Sequence, residues 1–261
     1  MKEKLVSVII PTLASRHDQL EKAVDSVNRQ TYKNIELVVV IEGDSACEGR
    51  NIGIKRSNGD FIAFLDDDDA WEPTKIEKQM KVMDKYTSCP LVTCYSNDHR
   101  FNRDSINCPP FVADKNVVLN AFNYSSTSAY LFRSDPLKEY GGFDESLKSA
   151  HEYDIAIAMS KNHNLRCVSE ILVTQNNTVG QISEDWTKKR KGILQVYRKH
   201  KAEFNNASFM NRFKVFGLYA LFLSGSIFGN KIYWILSPMK KRHEVIPDNG
   251  SIIEFRKHYE L

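Results

Sequence analysis

Paired cysteines are missing from this sequence. Its five cysteines, Cys47, Cys89, Cys94, Cys108 and Cys167, are odd in number, scattered, and form no CxxC pair. That argues against a disulfide framework and a structural zinc site, and fits a reducing compartment such as the cytoplasm. A membrane-spanning run is missing too. The apolar stretch Val215–Gly229 has 15 residues, three of them glycine, and sits between Lys214 and Lys231. A bilayer span needs ~20, so a core or interfacial helix is expected instead. The apolar part of the opening MKEKLVSVII is too short for a signal peptide. Without a secretion signal, the N-x-S/T sequons at Asn123, Asn176 and Asn206 carry little meaning. Charge of one sign is not in excess. Lys and Arg total 36 against 33 Asp and Glu, a net +3, too mild to point to nucleic acid. The basic clusters Lys188–Lys191 and Lys240–His243 read as solvated helix faces and ends. Attraction to an anionic membrane surface is the alternative. There is no internal repeat and no low-complexity segment.

What is present is an ordinary globular chain. Its 261 residues, 42% hydrophobic, suffice for one large α/β domain, or for one domain with a small appendage. LVSVII (Leu5–Ile10) is β-branched, ends at Pro11, and reads as a buried strand. Leu20, Ala23, Val24 and Val27 follow at helical spacing across about Asp18–Arg29. IELVVVI (Ile35–Ile41) is a continuous apolar run, as for a parallel strand covered on both faces. Glu48–Ser57 predicts a short helix stopped by Asn58-Gly59, and DFIAFL (Asp60–Leu65) a third strand. A helix begins near Pro73 with Ile76, Met80 and Met83 on one face, and PLVTCYS (Pro90–Ser96) is another strand. This alternation predicts a parallel α/β sheet. Beyond it, Arg100–Lys115 reads as a long loop and Ser126–Phe132 as a strand. Ser134-Asp135-Pro136 starts a helix that Gly141-Gly142 ends. His151–Asn162 is a helix with Ile155, Ala158 and Met159 inward, followed by short strands at Leu165–Val168 and Ile171–Thr174. From Glu184 to about Leu236 the chain reads as helical with breaks.

The chemistry gathers in FIAFLDDDDAW, Phe61–Trp71, where a buried strand runs into four carboxylates. In an open α/β sheet, ligands bind beyond the carboxyl ends of the strands, and Asp66–Asp69 fall there. Compact hard oxygen ligands suit Mg²⁺ or Mn²⁺, held by one or two carboxylates together with substrate phosphates. In an extended segment alternate side chains share a face. Asp66 and Asp68 would then point together as a D-x-D pair. Asp67 and Asp69 would serve the turn, or one of them cap the next helix. Trp71 reads as packing.

With these residues in place, the chain resembles the family 2 glycosyltransferases, inverting enzymes with a GT-A fold. SVIIPTLASR (Ser7–Arg16) is similar to the family's opening strand and loop, and LEKAVDSVNRQTYKNIELVVV (Leu20–Val40) to its first helix and second strand. RNIGIKRSNGDFIAFLDDDDAWEPTKIEKQ (Arg50–Gln79), GGFDESL (Gly141–Leu147) and HEYDIAIAMSK (His151–Lys161) follow in the family's order, the likeness covering roughly residues 5 to 200. QISED (Gln181–Asp185) and the basic helix after it look most like members that build surface glycans in archaea and bacteria.

The resemblance implies a GT-A, Rossmann-like α/β domain over residues 1–204, with a mainly parallel central sheet. A helical extension over 205–261 would follow, in which Phe209, Phe213, Phe216, Tyr219, Ala220 and Leu223 recur at helical spacing. The extension would pack on the domain, or else touch a membrane surface. The resemblance also implies a nucleotide-sugar donor, a UDP-sugar first, and a glycan or lipid-linked acceptor at the inner face of the cell membrane. Pro11, Thr12, Glu42, Arg50, Asp66 and Asp67 would hold the donor, and Asp68 with Asp66 a Mn²⁺ or Mg²⁺ ion. A structural salt bridge is the other reading of Arg50. Glu152 aligns with the family's general base, with His151 a second candidate and Asp154 an anchor or acceptor-pocket residue. Two departures stand out. Ile41-Glu42-Gly43-Asp44 replaces the usual pair of Asp residues, leaving Glu42 or Asp44 to contact the base. The stretch from Glu42 to Arg50 leaves no room for an extra strand. Two other classes share parts of this pattern. A nucleotidyltransferase would use the same metal–diphosphate logic, but no Gly-rich basic opening loop is present to grip a triphosphate. A non-catalytic sugar- or lipid-binding relative would not need Asp66, Asp68 and Glu152 intact.

Overall fold

A computed structural model of the chain describes residues 3–99, 105–121, 124–176, 186–207 and 240–242. The first half alternates as β1 (Val6–Pro11), α1 (His17–Asn28), β2 (Ile35–Val40), α2 (Ala46–Arg56), β3 (Phe61–Phe64), β4 (Ala70–Trp71), α3 (Lys75–Lys85) and β5 (Leu91–Asp98). β6 (Ser105–Asn107), β7 (Val112–Ala113), α4 (Lys115–Leu119), a 3₁₀ turn (Thr127–Ala129), β8 (Leu131–Arg133) and α5 (Ser134–Tyr140) follow. The rest comprises α6 (His151–Ser160), β9 (Leu165–Gln175), α7 (Trp186–Lys199), α8 (Lys201–Asn205) and β10 (Lys240–Arg242).

The strands form one sheet in the order β10-β6-β5-β8-β3-β1-β2, with β9 joined to β5, β4 and β7. β1 is parallel to both β2 and β3, and β9 is parallel to β5. β8 runs antiparallel between β3 and β5, so the sheet is mixed around a parallel heart. Alternation along the strands sends side chains to two cores. Ile9, Ile62 and Phe64 meet Ile54 of α2, Leu137 of α5, Ile155 of α6 and Val196 of α7. Val6, Val8, Ile10, Phe61 and Ala63 meet Ala23 and Val27 of α1 and Ile76, Met80 and Met83 of α3. β1 and β3 therefore bury both faces, which explains their unbroken apolar runs. Because β1 and β3 are parallel neighbours, Pro11 and Leu65 emerge at one edge, where the Leu65 amide donates to the Ile9 carbonyl (3.0 Å).

Five expectations need correction. β2 is not covered on both faces: it is the outer strand, mostly half-buried, with Leu37 37% and Ile41 59% exposed. Ser126–Phe132 is not a single strand, since Thr127–Ala129 is a 3₁₀ turn and only Leu131 begins β8. Arg100–Lys115 contains β6 and β7 rather than being all loop. The two short strands at 165–174 are one strand, β9, whose pairing with β5 shifts register near Cys94 and Tyr95. Lys240–Arg242 form not a helix end but a strand paired antiparallel with β6. Phe204 of α8 and Ala207 beyond it are buried in the first core. The apolar stretch 215–229, with Phe209 to Leu223, lies outside the described residues, as does QISED at 181–185. No helix among the described residues is long and apolar enough to cross a membrane. All five cysteines are free, four of them buried.

α3 opens on a fully buried cation. Lys75 Nζ lies 3.9 Å from the centroid of the Trp71 ring and donates to Gln79 Oε1 at 2.8 Å. Burial pushes its ammonium down to about 8, below the ~10.4 of an unfolded lysine. Below pH 8 the folded chain bears the cost of that buried charge. As the pH rises from 8 toward 10.4 the folded state sheds the proton first and the cost is relieved. Lys75→Met has no such dependence. Urea melts at pH 7.5 and pH 10 should therefore show wild type gaining about 2–3 kcal/mol on the variant over that interval. Parallel pH profiles would contradict it.

Candidate active site

The acidic stretch is a turn, not an extended segment. The Asp69 amide donates to the Asp66 carbonyl at 3.0 Å, closing a β-turn over Asp66–Asp69. Burial splits the four acids, while their partners pair Asp67 with Asp68 through Arg16 and Asp66 with Asp69 through Ser128. The Asp66 and Asp68 side chains are 32% and 13% exposed, while Asp67 and Asp69 are buried. Asp67 accepts from Thr12 Oγ1 (2.6 Å) and pairs with Arg16 Nη1 (3.0 Å). Burial pushes the Asp67 carboxyl up, against the pull of Thr12 and Arg16. Asp68 pairs with Arg16 Nη2 (3.1 Å), and its carbonyl accepts from Asn176 Nδ2 (2.8 Å). Asp69 does not cap the next helix, as one of these acids was expected to do. It accepts from Ser128 Oγ (2.6 Å), and Thr74 stands at the start of α3 without a side-chain cap. The same Ser128 oxygen receives the Asp66 amide (3.1 Å), so one buried hydroxyl ties both ends of the turn. Trp71 packs as expected, with its Nε1 donating to the Ser128 carbonyl (2.8 Å).

Arg50 forms the floor. It projects from α2, is 5% exposed, stacks over Phe143 (5.4 Å) and pairs with Asp66. Both readings of Arg50 therefore meet in one place, since its salt bridge is to a candidate metal ligand. α2 brings it there by close approach. A Cβ at Gly49 would lie 3.0 Å from Pro11, and one at Gly53 would overlap Ile9.

Glu152 lies in the first turn of α6, near enough to Arg50 for each to feel the other's charge. Burial works to raise its carboxyl. The charges of His151 and Arg50, a backbone amide and the Thr127 hydroxyl (3.0 Å) outweigh that and hold it below the usual carboxylate range. The positive end of the helix works in the same direction. The residue before α6, Ala150, has φ +64°, a left-handed conformation that costs a non-glycine residue about 1 kcal/mol. α7 holds it there. Ser149 Oγ donates to the Lys188 carbonyl (3.2 Å), and a Cβ at Gly192 would lie 2.7 Å from the Ser149 nitrogen.

The other expected residues divide. Pro11 and Thr12 border the acidic turn, and the Thr12 amide donates to the Val40 carbonyl (2.9 Å). Glu42 is exposed and forked onto Arg56 (2.8 and 3.1 Å), and the Asp44 amide donates to Glu48 (2.7 Å). His151 Nε2 lies 3.2 Å from the Leu147 carbonyl. Asp154 is an anchor. It is buried against His200 (2.7 Å), Lys199 (3.0 Å) and Tyr140 (3.1 Å), tying α6 to α5 and α7. Three residues were not singled out from sequence: Arg16, Thr127 and Ser128. The signal for Arg16 was the turn itself, because four adjacent carboxylates call for nearby cations. Nothing local marks Thr127 or Ser128.

Asp66 and Asp68 offer hard oxygen donors at the rim, and among the described residues no group of three or more His, Cys, Asp or Glu forms a metal cage. The donor set fits a divalent ion whose shell is completed by phosphate oxygens and water.

The fold is similar to that of the GT-A glycosyltransferases. Residues 42–141 match the glycosyl transferase family 2 domain. An uncharacterised glycosyltransferase of Rickettsia prowazekii is 26% identical over 226 residues, 69% of each chain. The Escherichia coli UDP-Glc:alpha-D-GlcNAc-diphosphoundecaprenol beta-1,3-glucosyltransferase WfgD is 31% identical over 145 residues, 46% of this chain and 55% of its own. Among solved structures, S. aureus TarS 1–349 with UDP-GlcNAc superposes with a TM-score of 0.63 at 14% identity, covering 86% of this chain and 73% of that one. Mannosyltransferase PcManGT from Pyrobaculum calidifontis with GDP-Man and Mn²⁺ gives 0.59 at 12% identity, covering 88% and 77%. The domain match and the named glycosyltransferases among its relatives support a glycosyltransferase with a family 2 domain.

Ser128→Ala takes a donor from a buried carboxylate and an acceptor from the Asp66 amide. Urea melts should show a loss of about 1–3 kcal/mol, together with weaker nucleotide-sugar binding. Unchanged stability would mean that the turn holds without this hydroxyl.

Proposed function

We propose that the chain is an inverting glycosyltransferase that moves a sugar from a nucleotide-diphosphate sugar to an acceptor hydroxyl in glycan assembly. What supports this is that Asp66 and Glu152 both act on one buried cation, Arg50, beside the acidic turn at the carboxyl edge of the sheet. Glu152, kept ionised, takes the acceptor's hydroxyl proton. The acceptor oxygen bonds to the anomeric carbon as the bond to the diphosphate breaks, and the electron pair leaves with the diphosphate. Asp68 and Asp66 would hold Mn²⁺ or Mg²⁺, which when bound neutralises charge on the leaving group. Pro11 and Thr12 border the donor, and Glu42 or Asp44 contacts its base. WfgD's UDP-Glc and the UDP-GlcNAc bound to TarS favour a UDP-sugar. WfgD's diphosphoundecaprenol acceptor favours a lipid-linked acceptor, reached at the inner membrane face. The solvated basic face of α7 (Lys188, Arg190, Lys191) is suited to peripheral contact there.

A panel of UDP- and GDP-sugars, read by donor hydrolysis and thermal shift with Mn²⁺, tests the donor class. Asp68→Asn should abolish the Mn²⁺-dependent part, and equal response to every donor without metal would refute the metal assignment. Glu152→Gln should lower kcat by ~10²–10⁴-fold with donor binding intact. Full activity in that variant would remove Glu152 from the mechanism.

Because the Glu152 carboxyl is held low, its protonation should not limit kcat/KM above about pH 5. A limb near pH 6.5 that vanishes in His151→Gln would assign the base to His151 instead.

A further inference from the structure

We propose that Arg16 is an exchangeable counter-cation of the acidic turn, pairing with Asp67 and Asp68 in the empty enzyme and passing to the donor's diphosphate when a divalent ion takes Asp68. The proposal rests on the metal–diphosphate reading above and assigns that reading a residue. The juxtaposition is direct. Arg16 Nη1 is 3.0 Å from Asp67 Oδ1 and Arg16 Nη2 is 3.1 Å from Asp68 Oδ2. The guanidinium straddles two residues instead of forking onto one carboxylate, the geometry that makes an arginine pair strong.

The two arginines of the site differ in freedom. Arg50 is held by helix α2, by burial and by the Phe143 ring. The Arg16 side chain is 29% exposed. It follows the exposed residues Leu13 to Ser15 and precedes α1, with its amide bonded to the Leu13 carbonyl (2.9 Å). Asp67 does not depend on Arg16 alone, because the Thr12 hydroxyl remains on it. The pair to Asp68 lies at the more exposed end of this arrangement.

Charge decides the direction of exchange. A divalent ion on Asp68 claims the carboxylate that Arg16 holds and repels the guanidinium. The donor brings a diphosphate to the same rim, and a planar guanidinium matches phosphate oxygens. Arg16 then acts twice. It competes with metal in the empty site, and it adds an anchor for the donor in the loaded one. Metal and nucleotide should therefore bind with positive cooperativity, each raising the affinity of the other by the same factor.

The experiment measures Mn²⁺ alone, by electron paramagnetic resonance, and then UDP and GDP with Mn²⁺ by calorimetry. The proteins are wild type, Arg16→Gln, Arg16→Lys and Asp68→Asn. Arg16→Gln should bind Mn²⁺ alone about five-fold tighter, the scale of a partly exposed ion pair. It should bind the preferred nucleotide with Mn²⁺ about ten-fold weaker, so that the metal–nucleotide coupling shrinks. Arg16→Lys keeps the charge without the span and should fall between, which keeps the test informative if the glutamine variant unfolds. Unchanged or weaker Mn²⁺ binding in Arg16→Gln, while Asp68→Asn loses the ion, overturns the role of Arg16 and leaves the metal reading standing. Wild-type Mn²⁺ affinity in Asp68→Asn overturns both.

Discussion

A guanidinium that water cannot reach must be matched by anions, and Arg50 is such a group. It is 5% exposed, and its Nε has no hydrogen-bond partner. An unpaired charge there would cost several kcal/mol, on the order of what breaking a buried ion pair costs. Asp66 supplies one anion in direct contact, and Glu152 lies close enough for its charge to be felt. Together with the His151 charge, the same field holds the Glu152 carboxyl low although burial opposes it. One buried cation thus holds a candidate metal ligand directly and contributes to keeping a candidate base ionised. Its position follows from glycine: α2 can lie against β1 because Gly49 and Gly53 present no side chain to Pro11 and Ile9.

The second constraint is a pair of adjacent hydroxyls. Thr127 donates to Glu152, and Ser128 joins Asp66 and Asp69. The 3₁₀ turn makes this pairing possible, since a β-strand would send neighbouring side chains to opposite faces of the sheet. Trp71 closes the arrangement by donating to the Ser128 carbonyl, and Lys75 lies beneath its ring. The acidic turn, the candidate base and the helix that follows the turn therefore share one short segment. An irregular turn at the start of β8 serves the site better than the strand that Ser126–Phe132 resembles in sequence.

Much of this was legible before any coordinates, and the reasons are local. The apolar runs of β1 and β3 and the spacing of Ile76, Met80 and Met83 carry their own periodicity. The position of Asp66–Asp69 follows from the strand before it. Alternation assumed an extended segment at Asp66–Asp69, where the chain instead makes a β-turn that leaves Asp66 and Asp68 less buried than Asp67 and Asp69. What stayed hidden depends on partners distant in sequence. β2 reads as a doubly covered strand because its composition does not say that it lies outermost. The contacts of Arg16 with the turn span 51 and 52 residues, and those of Ser128 span 59 and 62, so no spacing rule reaches them. Asp154, two residues from Glu152, shows the same limit. Only the fold brings it His200, Lys199 and Tyr140.

Four carboxylates in one turn would repel one another if left to water alone, and they do not share the cost equally. Asp69 accepts from a serine hydroxyl in the core. Asp66 pairs with the buried Arg50. Asp67 has a hydroxyl and a shared cation. Asp68 pairs with the more exposed of the two arginines. Burial of the partners falls from the core outward, and the acid paired with the more exposed cation is one that a ligand can reach. A turn built this way is stable when empty and still has a carboxylate to offer, which is what a site must do if its metal arrives together with its substrate.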